Sequence, residues 1–143
     1  MKYLGLDLGT KTLGVSISDI NGKISLPLTT IRYNNENYNY LIRELEKIVL
    51  ENKIEKIVLG LPKNMNNTIG ERALKTLDFK EMIEKNLNIE VNMQDERLST
   101  VSSEKFLISN DISRKKRKQV IDKMASQIIL QSFLDIKNNE KEN

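Results

Sequence analysis

The chain opens on an almost unbroken apolar run, Tyr3-Leu4-Gly5-Leu6-Asp7-Leu8, interrupted by a single carboxylate. Continuous apolar character over residues 2–8 predicts a strand covered on both faces. Leu13 to Asp19 alternates apolar and polar positions, the two-residue period of a second strand. Asn21-Gly22 then supplies a hairpin turn, and Ile24 to Ile31 reads as a third strand. Pro27 has no N–H to give to a neighbour, which places this strand at a sheet edge. The first third of the chain is therefore an antiparallel meander.

After the meander the period changes. Tyr38, Leu41, Ile42, Leu45, Ile48 and Val49 recur at helical spacing and predict a helix over about 36–52. Lys56 to Gly60 reads as a buried parallel strand, followed by a loop from Leu61 to Gly70 and a helix over about 71–86. Ile89, Val91 and Met93 alternate with Glu90, Asn92 and Gln94, a strand with one wet face that suits an edge. Ser99 or Thr100 caps a helix to about Ile108, and a last helix covers about 119–136. The order βββαβαβαα implies an α/β fold: a five-stranded mixed sheet with helices on both faces, the strand–helix order of a ribonuclease H-like fold. Fold analogy alone does not set function. Without a repeat or a linker, residues 1–137 are expected to form a single domain, and 138–143 a frayed polar tail.

Two absent residue types narrow the chemistry. With 0 Cys, thiol nucleophiles, disulfides and zinc–thiolate sites are excluded, and with 0 His so is every histidine base. An enzyme of this composition depends on carboxylates, Lys, Tyr, Ser or Thr, or on hard cations with oxygen ligands. Few aromatics and no Trp leave little for base stacking. The apolar runs are too short to cross a bilayer, and the start lacks the long apolar region of a signal peptide, so the expected location is cytoplasmic, with no membrane partner. Net charge is only +3, but Arg114-Lys115-Lys116-Arg117-Lys118 places five cations in a row. Mutual repulsion reads as a mobile loop, either gripping a polyanion or merely solvated.

Three acidic positions fall where chemistry gathers. Asp7 ends the first strand, just before Gly9-Thr10-Lys11-Thr12 and Gly14, and ligands collect at the carboxyl ends of strands in α/β sheets. A metal ligand and a turn-capping aspartate fit this pattern equally. Asp95-Glu96-Arg97 ends the last strand, where a surface ion pair is the commoner reading. Strand parity does not choose between Asp95 and Glu96. Asp122 opens the last helix one turn before Ser126, where a helix-capping role is the commoner reading and the helix dipole favours a carboxylate. Brought together, three carboxylates are costly without cations, and two metal ions about 4 Å apart cleave phosphodiesters without His or Cys. The loop from Gly60 to Thr68, with Lys63 and Asn64, lies between strand and helix as a phosphate-contacting loop does, or as any turn-rich surface loop does.

The segments GLDLGTKTLGVSISD, IVLGLPKNMNNT, DERLST and RKKRKQVIDKMASQIILQSFLD occur in order between residues 5 and 135. Together they resemble the YqgF/RuvX family, Holliday junction resolvase-like proteins also known as pre-16S ribosomal RNA nucleases. The resemblance implies a ribonuclease H-like nuclease with Asp7, Glu96 and Asp122 as catalytic and metal-holding residues, Asp95 beside them, and Mg2+ or Mn2+ as cofactor. It implies a nucleic-acid substrate, either precursor 16S rRNA processed at its 5' end during ribosome biogenesis or a branched DNA junction. Lys11, Lys63, Asn64, Arg97, Arg114, Lys115, Lys116, Arg117 and Lys118 are the expected phosphate contacts, on a monomer or a homodimer. Two departures stand out. Asn66-Asn67 occupies the place of the family's usual Asp-Gly, with one negative charge fewer. Gly60-Leu61-Pro62 holds the fourth-strand end, where many ribonuclease H-like nucleases have a carboxylate, so the Asp95-Glu96 pair must substitute.

Two other classes compete. Asp-Leu-Gly-Thr followed by Gly also resembles the phosphate loop of sugar kinases and actin-like ATPases, which bind nucleotide between two related domains where this chain has one. A non-catalytic nucleic-acid scaffold is the other, and the Asp7, Glu96 and Asp122 set argues against it.

Overall fold

The computed structural model describes residues 1–62, 70–95 and 114–142, with the backbone alone along 114–123 and 141–142. Five strands form one sheet: β1 (Tyr3–Leu8), β2 (Thr12–Ser18), β3 (Ser25–Arg32), β4 (Lys56–Leu61) and β5 (Glu90–Asp95). Their spatial order is β3-β2-β1-β4-β5. β1–β2 and β2–β3 are antiparallel, whereas β1–β4 and β4–β5 are parallel. Pro27 therefore lies on an edge strand, and β5 forms the other edge, as the sequence predicts. Gly22 turns the β2–β3 hairpin at φ +67, a left-handed angle glycine adopts without cost.

Helices α1 (Tyr38–Asn52) and α2 (Glu71–Leu87) cover one face. Asn37 caps α1 by accepting from the Tyr40 N–H, and Lys53 and Asn88 end the two helices in left-handed conformation. Leu4, Leu6, Leu8, Leu13, Val15, Ile57 and Leu59 meet Leu41, Leu45, Phe79 and Ile83 in the larger core. The residues of opposite parity face the third described helix, α3 (Arg114–Glu142), where Tyr3 and Val58 pack on Ile129, Leu130 and Leu134. A nearly continuous apolar β1 is thus explained by helices on both sides of the sheet.

The last helix differs from its expected span at both ends. Arg114 to Lys118 is its first segment and not a loop. Lys and Arg are good helix formers, and successive helical positions are rotated by about 100°, which distributes five adjacent charges around the axis. At the other end the helix continues to Glu142, through most of the segment expected to fray. Asn138 donates to the Gly22 carbonyl at 3.2 Å, and the Lys137 ammonium lies 5.6 Å from the Tyr3 ring centroid, so this end is tied to the hairpin turn. The helix expected near residues 99–108 lies outside the described residues.

Candidate active site

Asp7 shares a face with Tyr3 and Gly5, the face that α3 covers. Across the ladder it pairs with Gly14 of β2. On the other side, the register Leu6↔Leu59 sets Asp7 level with Gly60 of β4, which in turn pairs with the buried Gln94 of β5. The carboxylate therefore stands between two glycines, with no side chain on either adjacent strand at its level. A Cβ placed on Gly14 would lie 3.4 Å from Ser126 Oγ and 3.8 Å from Asp7 Cβ, so both side chains border this glycine. Among the described residues, none donates a hydrogen bond to the Asp7 carboxylate or pairs with it.

α3 runs antiparallel to β1. Phe133 meets the Tyr3 ring at 5.9 Å between centroids, Leu130 lies over Gly5, and Ser126 reaches the level of Gly14. The Ser16 hydroxyl donates to the Ser126 carbonyl at 2.8 Å, and Gln127 and Gln131 bond the backbone of Ser25. Asp122 is one helical turn, about 5.4 Å, further toward the carboxyl end of β1. The basic segment Arg114–Lys118 precedes it on the same helix.

The turn after Asp7 is held from outside the strand pair. Gly9 N–H donates to Thr12 O at 2.8 Å, and Tyr33 N–H to Lys11 O at 3.0 Å. The Tyr33 hydroxyl donates to the Gly9 carbonyl, and Arg72 Nη2 to the Leu8 carbonyl at 2.6 Å. Burial pushes the Tyr33 phenol above its ordinary value, Tyr38 adds to this, and the Arg72 charge opposes it. Tyr33 and Arg72 carry no motif, and sequence reasoning missed both. The one available signal is Pro62, which removes an N–H at the end of β4.

Lys11 is exposed at the tip of this turn, on the same end of the sheet as Asp7. Asp95 ends β5 level with Leu61, and strand alternation assigns it to the α1–α2 face, opposite Asp7. Glu96, Arg97, Lys63 and Asn64 lie outside the described residues, as does Asn66-Asn67. Among the described residues no group of three His, Cys, Asp or Glu side chains could hold a metal ion. Among the described residues, too, no helix is long and apolar enough to cross a membrane.

Comparison with known proteins identifies the family and the fold. The profile of the family described as "RuvX: Holliday junction resolvase" matches residues 1–136. A Bacillus mycoides (strain KBAB4) protein named "Putative pre-16S rRNA nuclease" is 53% identical over 137 residues, 96% of this chain and 100% of the relative. A Bacillus cereus (strain B4264) protein of the same name is 52% identical over the same length and coverage. Among solved structures, T. thermophilus RuvC in complex with Holliday junction substrate superposes with a TM-score of 0.61 over 97% of this chain and 96% of that one, at 9% identity. That likeness shows the shared ribonuclease H-like fold.

Proposed function

The chain belongs to the RuvX family, and on that premise we propose that it is a metal-dependent endonuclease processing the 5' end of precursor 16S rRNA. Membership in this nuclease family makes it a hydrolase acting on phosphodiester bonds. The observation that supports the site is the position of Asp7, between two glycines at the carboxyl end of β1 and beneath the helix that carries Asp122.

The donor set fits a hard cation. Asp7 offers oxygen ligands at a level where Gly14 and Gly60, its neighbours on the adjacent strands, carry no side chain. Asp7, Glu96 and Asp122 would hold Mg2+ or Mn2+ there, which when bound supplies the positive charge that activates water and stabilises the leaving oxygen. Asp95 is the weaker candidate because its register sets it on the opposite face. Lys11 and the Arg114–Lys118 segment would neutralise substrate phosphates, with Lys63, Asn64 and Arg97 alongside. These contacts position a nucleic-acid backbone without reading its sequence.

Branched DNA is the second reading, favoured by the family's description and by the fold shared with RuvC. Names of close relatives favour RNA. The deciding experiment offers wild-type protein a 5'-extended 16S rRNA precursor and a four-way DNA junction, each with Mg2+, Mn2+ or chelator. Metal-dependent cleavage of the RNA at its 5' extension is expected. Cleavage of the junction alone would move the assignment to DNA, and cleavage of neither would reject the nuclease reading.

A further inference from the structure

Every β1 carbonyl that points toward β4 needs a donor there, and at Leu8 the strand cannot supply one. In β1, Gly9 bonds toward β2, so Leu8 points toward β4. In a parallel ladder a carbonyl accepts from the residue after its opposite number. Continuing Leu6↔Leu59 by two positions sets Leu61 opposite Leu8, and the next residue is Pro62, which has no N–H. Arg72 fills the gap. From the first turn of α2 its Nη2 reaches the Leu8 carbonyl at 2.6 Å, a charge-assisted bond stronger than the ladder bond it replaces. The next carbonyl, Gly9, is held by the hydroxyl of the buried Tyr33.

From this geometry we infer that Arg72 is a positioning residue for Asp7, with Tyr33 as its partner. The inference rests on the proposed metal-dependent nuclease reading and deepens it. Asp7 immediately precedes Leu8, and the Leu8–Gly9 peptide that Arg72 holds is the next one after the Asp7–Leu8 peptide, so the bond fixes the strand one peptide beyond the carboxylate. β4 offers no side chain at the level of Asp7 and no N–H to Leu8, so on the β4 side the guanidinium is what holds the strand end. A ligand whose strand is pinned at the next residue presents its oxygens in a fixed place, and groups that orient a ligand typically change metal affinity or activity about 10–100-fold when removed. Lys at position 72 keeps a charge but only a compact, single-point donor, so it should recover part of the effect.

Arg72→Ala, Arg72→Lys and Tyr33→Phe test this beside wild type and Asp7→Asn. Two readouts are needed: Mn2+ binding, from the loss of the free-ion electron paramagnetic resonance signal, and kcat and KM on the substrate wild type cleaves. Arg72→Ala should weaken Mn2+ binding about tenfold and lower kcat about 10–100-fold, with KM within about twofold. Arg72→Lys should fall between Ala and wild type, and Tyr33→Phe should act in the same direction more weakly. If Arg72→Ala does not fold, the other two variants decide. Unchanged Mn2+ affinity in the folded variants, or a raised KM with kcat intact, overturns the positioning role. Wild-type protein that neither binds Mn2+ nor cleaves would instead remove the nuclease reading, and the inference with it.

Discussion

Gly5 of β1 and Leu130 of α3 meet with no room for one more carbon: a Cβ on Gly5 would lie 2.7 Å from Leu130 Cβ and 3.0 Å from the Ser126 carbonyl, and would clash with the Ser16 hydroxyl. This close approach sets the height of α3 above the sheet, and with it the height of Asp122 relative to Asp7. Gly5→Ala should destabilise the fold by about 2–3 kcal/mol through overpacking, and urea denaturation measures it. A destabilisation below about 0.5 kcal/mol would show that α3 can lift without cost.

A second prediction concerns acid. Asp19 Oδ1 accepts from the N–H groups of Ile24 and Lys23 at 2.9 and 2.8 Å, and these bonds hold its carboxyl below its ordinary value of 3.8. A depressed folded-state value gives stability that is present above 3.8 and lost as pH falls through the lower value. Asp19→Asn should therefore be less stable than wild type at about pH 6, with the gap narrowing at about pH 3. A gap that is constant with pH would mean the charge contributes nothing to the hairpin.

The sheet was legible because its signals are local. Alternation marked β2 and β5, Asn21-Gly22 marked the hairpin, and Pro27 marked the edge. Asp7 was legible as a strand-end carboxylate, but its choice of face was not, because β1 is apolar on both sides. Structure resolves it through Gly5 and Gly14, whose missing side chains let α3 approach. The register of Leu61 with Asp95 likewise sets Asp95 on the α1–α2 face, which the strand alone left open because its end was not marked. The start of α3 was misread because a charge run resembles a solvated loop, whereas helix propensity ignores like-charge neighbours that fan around an axis. Arg72 was invisible because its bond joins residues 64 apart, and only the proline that makes it necessary is written locally.

The helical placement of Arg114–Lys118 changes what its removal should do. Cations in a first helical turn oppose the helix dipole, so replacing Lys115, Lys116 and Lys118 with Gln should leave thermal stability unchanged or slightly raised. If these residues neutralise phosphates, log affinity should fall less steeply with log salt, by about 0.7–0.9 for each phosphate that is no longer neutralised. An unchanged slope and affinity would move phosphate binding to Lys11 and the loop bearing Lys63 and Asn64.

At the end of β5 the two carboxylates should separate. Asp95→Asn changes a residue in register with Leu61 on the α1–α2 face, whereas Glu96 is the next position along the chain. Glu96→Gln should lower kcat about 100-fold, and Asp95→Asn less than about fivefold, with both measured in one metal. The reverse order would make Asp95 the ligand.

Every role proposed for this site depends on Asp7 holding a catalytic metal. The decisive test is the cleavage rate of the preferred substrate by Asp7→Asn and wild type across a Mn2+ titration, with circular dichroism confirming the fold of both. Asn keeps the size of the side chain and removes its charge, so folding should be preserved, while kcat should fall about 100-fold or more at every metal concentration. A folded Asp7→Asn protein that cleaves at the wild-type rate with the same metal dependence would show that Asp7 holds no such metal.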